Sequence, residues 1–86
     1  MTEEKFIEIL EDDINTKYNS NIYGVFEGLK IMSKYTAHLI DVADNDIIYG
    51  SDIDKLIDNG ITEEECIKLN KFGWYIIDDE YLGHFV

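Results

Sequence analysis

The apolar positions of this chain recur with two periods, and those periods set the expected elements. Phe6, Leu10 and Ile14 return every four residues with Ile7 beside them, while Glu4, Glu8, Glu11 and Asp12 take the opposite side. That spacing is helical, and Thr2 stands where an N-cap belongs, so a helix is expected from Glu3 to about Asn15. Asp12 and Asp13 sit near its C-terminal end, where the helix dipole disfavours them, so local propensity alone does not set that boundary. A polar loop, Asn15 to Asn21, offers Asn19 or Ser20 as the next cap. A second helix follows over roughly Asn21 to Tyr35, with Ile22, Val25, Phe26, Leu29 and Met32 as its apolar stripe. Gly24 and Gly28 share one face of it. Each costs up to about 1 kcal/mol against alanine, and the expected offsetting gain is the close approach of another element. Thr36 to Asp44 fits either an extension of this helix or irregular chain.

In the second half the runs shorten. Asn45-Asp46 reads as a turn, Ile47-Ile48-Tyr49 as a short strand stopped by Gly50, and Ser51 as the cap of a short helix, Asp52 to Asp58, with Ile53, Leu56 and Ile57 inward. Asn59-Gly60 ends that helix, and Ile61 stands as a hydrophobic staple ahead of Thr62. Thr62 and Glu65 form the two halves of a capping box, with Glu63 and Glu64 also at the positive end of the dipole. In this last helix Cys66, Leu69 and Ile67 are expected inward, Lys68 and Lys71 suit the final turn, and Gly73 takes the left-handed stop. Trp74 to Ile77 is a strand rich in aromatic and β-branched residues, Asp78-Asp79-Glu80 a turn, and Tyr81 to Val86 the returning strand. Trp74, the only tryptophan, is expected as a core anchor. The order α-α-β-α-α-β-β predicts one small α+β domain: helices on one face of a short antiparallel three-stranded sheet that ends in a C-terminal β-hairpin.

Composition sharpens this. The chain has 86 residues, which bounds it to one domain. A single cysteine excludes an internal disulfide and fits a reducing compartment, the cytoplasm. No apolar run follows a basic N-terminal segment, and none approaches the length of a membrane span, so neither a signal peptide nor a membrane partner is expected. Seven cations, all lysine, face nineteen acids, for a formal net charge of −12. Direct nucleic-acid binding is therefore not expected, because phosphate contacts require Lys and Arg. A basic protein surface is the natural electrostatic complement.

The acids are unevenly spread. Asp41, Asp44, Asp46, Asp52, Asp54, Asp58, Glu63, Glu64 and Glu65 stand between positions 41 and 65 with Lys55 as the one cation, and Asp78, Asp79 and Glu80 follow in the hairpin turn. A calcium loop would need a glycine at its sixth position and a glutamate at its twelfth. Asp44-Asn45-Asp46 and Asp52-Ile53-Asp54 both miss that register, so no metal or other cofactor is expected. The acids then form either a solvated face that keeps a small protein soluble, or a partner-binding face whose carboxylates stand where nucleic-acid phosphates would. Tyr18, Tyr23, Tyr35, Tyr49, Tyr75 and Tyr81 accompany them. Tyrosine beside carboxylates suits binding surfaces, and it suits sheets equally.

Candidate catalytic groups are few. His38 with Asp41 could orient an imidazole, but no paired nucleophile or glycine-rich loop accompanies them. His84, between Gly83 and Phe85, is expected to point away from Phe85 into solvent. Cys66 on an inward helix face is expected to be a buried small hydrophobe. The chain is not expected to be an enzyme; a small metal-dependent enzyme using His38, Asp41 and Cys66 is the least favoured alternative.

Three stretches carry a resemblance: Gly28-Leu29-Lys30-Ile31-Met32-Ser33-Lys34-Tyr35, the strand Asp46 to Tyr49, and ITEEE…FGWY…DDE…FV from Ile61 onward. Over roughly Gly28 to Val86 the chain resembles small proteins encoded by bacteriophages and integrated elements. Very acidic members of that kind resemble anti-defence inhibitors, including anti-CRISPR proteins, which bind nuclease complexes stoichiometrically, some as nucleic-acid mimics. The shared residues are fold residues, so no functional position carries over. The resemblance implies a non-enzymatic inhibitor that docks its acids on the basic groove of a host defence nuclease and blocks nucleic-acid binding. The alternative is a phage structural or assembly protein that self-associates, for instance as a homodimer through the hairpin edge.

Overall fold

The computed structural model describes residues 1–11, 22–37, 39–40, 42–44 and 47–85. Through these the chain runs α1 (Glu3–Leu10), α2 (Ile22–Met32), β1 (Val42–Asp44), β2 (Ile47–Asp52), α3 (Ile53–Asp58), α4 (Glu63–Lys71), β3 (Tyr75–Ile77) and β4 (Tyr81–Phe85). The strands form one antiparallel sheet in the order β1-β2-β4-β3. The fold is α+β and closes with the expected C-terminal hairpin. The three expected strands are present, and the undecided segment before Asn45 supplies a fourth, β1, as a three-residue edge strand paired with β2.

Trp74 joins the layers. Its side chain is 1% exposed, and its indole N–H donates to the Gly24 carbonyl at 3.0 Å. A methyl group on Gly28 would fall inside the indole, and one on Gly50 would stand 2.9 Å from its six-membered ring. Glycines from α2 and β2 thus shape the slot that the ring fills, which is the close approach expected for Gly24 and Gly28. The register of β2 on β4 shifts between Tyr49 and Asp52, beside Gly50. Trp74 belongs to one buried core with Phe6, Leu10, Val25, Met32, Leu56, Leu69 and Leu82.

This slot fixes which face of α2 turns inward. Val25, Gly28, Ile31 and Met32 are buried, while Phe26, expected in the apolar stripe, is 60% exposed and Tyr23 62%. The stripe is rotated because Gly28 faces the indole and Gly24 faces the Phe72 carbonyl and His84. The helix ends at Met32 rather than Tyr35, and α1 ends at Leu10, with Glu11 as its C-cap. Asp12, Asp13, Ile14 and the loop to Asn21 lie outside the described residues.

Short-range chemistry holds elsewhere. Thr2 caps α1, and Thr62 and Glu65 complete the capping box of α4. Asp52, not Ser51, caps α3: its carboxylate accepts from the Asp54 N–H at 2.8 Å, and Ser51 is buried. Both α3 and α4 end in the same motif. Gly60 and Gly73 take φ of 97° and 93°, and the next residues, Ile61 and Trp74, return N–H bonds of 3.0 Å to Leu56 and Leu69. That is the six-to-one bond of a Schellman cap, and it delivers both hydrophobic residues to the core. Ile67, by contrast, is at the surface.

The helices pack on the sheet face that carries Ile48, Ile76, Leu82 and His84. His84 is therefore inside, contrary to the expectation of solvent exposure. It is fully buried, its Nε2–H donates to the Phe72 carbonyl at 2.7 Å, and its ring meets Trp74 edge-on. The strand alternates as expected; the face that became the inner one is the one bearing His84.

In the hairpin turn, Asp78 and Asp79 have φ of 54° and 55°. That left-handed pair belongs to a turn that favours glycine, and for a residue with a Cβ each such position costs roughly 1–2 kcal/mol, less for Asp. Asp79→Gly is expected to raise stability by about 0.5–1 kcal/mol. The check is a higher urea midpoint at unchanged slope; a lower midpoint would show that the aspartate side chains themselves hold the turn.

Candidate functional site

The hairpin turn docks on the start of α3. Asp52 pairs with Tyr81 across β2 and β4, and the Ile53 N–H donates to the Glu80 carbonyl at 2.9 Å. Two acidic groups far apart in sequence, Asp52 with Asp54 and Asp78 with Asp79 and Glu80, thereby share one end of the molecule. Asp54, Asp78, Asp79 and Glu80 are exposed and Asp52 half-buried. Asp58, exposed and four residues beyond Asp54, continues this acidic surface along the outer side of α3. Lys55 is the only cation on α3. Among the described residues none of these six acids is in an ion pair.

Tyrosines border this end. On the sheet face away from the helices, Tyr49 and Tyr75 stand opposite Gly83, and Ile77 and Tyr81 flank the turn; all four are half-buried. Burial raises the Tyr75 hydroxyl above its ordinary pKa, with the neighbouring Tyr49 adding to it. Carboxylates at a strand turn beside tyrosines give charge and apolar contact on one surface.

The remaining acids of the sequence block sit elsewhere. Glu63 and Glu64 are exposed on the first turn of α4, beyond the far end of α3, and Glu63 lies 3.7 Å from Lys5 of α1. Glu65 is not part of any open face. It is 8% exposed. Its Oε1 accepts from the Thr62 N–H and hydroxyl, each at 3.1 Å, and from the Tyr35 hydroxyl; its Oε2 accepts from Lys34 at 2.9 Å. Burial alone would raise its pKa, but these four donors outweigh it and hold the carboxyl down at about 2. The same hydrogen bond, with burial, pushes Tyr35 up to about 12. Glu65 ties α4 to the end of α2, and a carboxylate inside a capping box was the sequence signal for that internal role. Asp41 and Asp46 lie outside the described residues, as does His38; for Asp44 only the strand position is described.

Cys66 is fully buried, with its Sγ 3.9 Å from the Met1 sulfur. Burial, aided by Glu65 and Glu63, pushes the thiol up to about 12, so it carries almost no thiolate at neutral pH. Among the described residues no three His, Cys, Asp or Glu side chains are placed to share a metal ion, and no helix is long and apolar enough to cross a membrane. Set against known proteins, the chain matches no family model, no curated protein and no solved structure.

Proposed function

We propose that this protein is a non-enzymatic inhibitor. It docks the acidic end formed by Asp52, Asp54, Asp58, Asp78, Asp79 and Glu80 on a basic, nucleic-acid-binding surface of another protein and so keeps nucleic acid out. The observation that carries this reading is the docking of the hairpin turn on α3, which concentrates carboxylates from two sequence regions, none in an ion pair among the described residues, beside a tyrosine-bearing sheet face. Carboxylates grouped in this way offer Lys and Arg side chains what a phosphate run offers them. The net charge of −12 adds long-range steering toward a basic surface. A nuclease effector of a host defence system, the partner implied by the resemblance to anti-defence inhibitors, has such a surface. Asp44 pairs with Ile47 at the other end of β2 and is no part of this end; Glu63 and Glu64 form a separate acidic spot, and the buried Glu65 belongs to neither.

The test is capture from host lysate at low salt, with elution by a salt gradient and identification by mass spectrometry. A dominant nucleic-acid-binding protein is expected, displaced by added DNA or RNA. The triple variant Asp54→Lys, Asp78→Lys, Asp79→Lys should lose it by at least about 100-fold, since close charge pairs contribute about 1.5 kcal/mol or more each. A protein retained equally by the variant, or none retained at any salt, would sink the proposal.

A further inference from the structure

A second surface, independent of the acidic end, lies on α2. Tyr23, Phe26 and Lys30 follow one another at three- and four-residue steps and form a single outward ridge, with Tyr23 and Phe26 62% and 60% exposed. Tyr23 rests edge-on against the half-buried Phe72 at the end of α4, ring centroids 6.1 Å apart. Well-exposed aromatic rings side by side on a small domain mark a contact surface. These two do nothing for the core, which Gly24, Val25, Gly28 and Met32 of the same helix already serve.

The electrostatics of the chain restrict what can cover this ridge. Elsewhere among the described residues acids far outnumber the two cations Lys5 and Lys55, but Lys30, Lys34, Lys68 and Lys71, four of the seven cations, stand on α2, the turn after it and α4. Lys30 is paired with Glu27 at 3.2 Å and Lys34 with Glu65 at 2.9 Å, while Lys68 and Lys71 make no ion pair among the described residues. Glu27, next to Phe26 and held by Lys30, and Glu64, one turn before Lys68, are the acids near this face. A basic partner finds its complement at the acidic end and not here. For a second copy, itself strongly negative, this is the described face where approach meets the least repulsion.

The ridge also complements itself. Two antiparallel copies of α2 related by a two-fold axis near Phe26 set Phe26 against Phe26 and bring Tyr23 of each copy close to Lys30 of the other, because the two positions lie three and four residues to either side of Phe26. Ring stacking and two cation–π contacts follow from one operation. The hairpin turn stands at the opposite end of β3 from Phe72 and Trp74, so both acidic ends stay clear of the contact. We infer that the protein forms a two-fold dimer through the Tyr23–Phe26–Lys30 ridge of α2. A ridge of three side chains makes a small interface, so the dimer is weak and its population depends on concentration. It presents two acidic ends to whatever they bind.

Sedimentation from about 10 µM to about 1 mM protein, at about 50 mM and about 500 mM salt, tests this. The mass is expected to rise with concentration from the monomer's 10.0 kDa toward twice that value. It should rise further at the higher salt, because screening removes net repulsion between copies. That trend is opposite to the salt dependence of an acidic end on a basic partner, so failure of either proposal leaves the other standing. Phe26→Asp should weaken the dimer at least tenfold while leaving the thermal midpoint nearly unchanged, since the ring is outside the core. If Phe26→Asp alters the fold, Tyr23→Ser and Lys30→Glu give the same reading. A mass of 10.0 kDa at every concentration and salt overturns the inference. So does a dimer that survives all three changes, which would place the contact elsewhere, for example along the β3 edge.

Discussion

Gly28→Ala is expected to destabilise the protein by at least about 2 kcal/mol and to lower its thermal midpoint by roughly 8–16 °C. By helix propensity alone the sign would be opposite, because alanine in place of an interior glycine contributes up to about 1 kcal/mol. The tryptophan reverses it. A Cβ at position 28 would lie 2.5–2.6 Å from indole atoms Cε2 and Cδ1, well inside any packing distance. The ring cannot retreat, for it is bonded to the Gly24 carbonyl and backed by Gly50 and His84. Gly60→Ala is the matched control. Nothing lies within 4 Å of its added methyl, and only its φ of 97° opposes the change, at roughly 1–2 kcal/mol. Urea unfolding of Gly28→Ala, Trp74→Phe and the double variant closes a cycle. The smaller ring should accept the methyl, giving a favourable coupling of about 1 kcal/mol or more. Additive losses would show that the indole is not what excludes a side chain at position 28.

That slot also shows where a sequence stops being legible. The caps of α1 and α4, the glycine stops at Gly60 and Gly73, and the hairpin are set by neighbours within about five residues, and each could be read from the chain alone. The buried side of α2 could not. Its most apolar stripe includes Phe26, and only the arrival of Trp74, fifty residues later in sequence, makes two glycines the inner face. His84 misleads for the same reason: alternation along β4 is local, but which side receives the helices is not. β1 is a three-residue strand whose existence depends on β2 beside it. The acidic end was half legible. Every acid in it was visible as a charge, yet the run from Asp41 to Glu65 reads as one block, whereas pairing of β2 with β4 regroups Asp52 and Asp54 with the hairpin turn and leaves the α4 glutamates at the other end of α3.

Within those glutamates, Glu65 should behave unlike its neighbours. Glu65→Ala is expected to cost about 2–3 kcal/mol, because it strands the Tyr35 hydroxyl and the Thr62 donors and frees Lys34 from α4. Glu63→Ala and Glu64→Ala, both at the surface, should each stay within about 0.5 kcal/mol of the parent. The difference carries a pH signature. The carboxyl sits at about 2 in the folded protein against an ordinary 4.5, so on acidification the unfolded chain takes up the proton first. Its stabilisation is therefore complete above about 4.5 and lost as pH falls from 4.5 to 2. Tyr35 mirrors this at the alkaline end: raised from 10.0 to about 12, it stabilises fully below 10 and loses that contribution between 10 and 12. Urea midpoints measured across the acid range should fall less steeply for Glu65→Gln than for the parent, and Tyr35→Phe should narrow the acid window by letting the carboxyl rise toward 4.5. An equally steep fall in Glu65→Gln would mean that other carboxyls govern acid unfolding. The consequence for binding is direct. Reversing Glu63, Glu64 and Glu65 together would weaken any association by unfolding the α2–α4 contact, whatever surface the partner uses. Only reversal at exposed acids, with Glu65 kept, separates docking from stability.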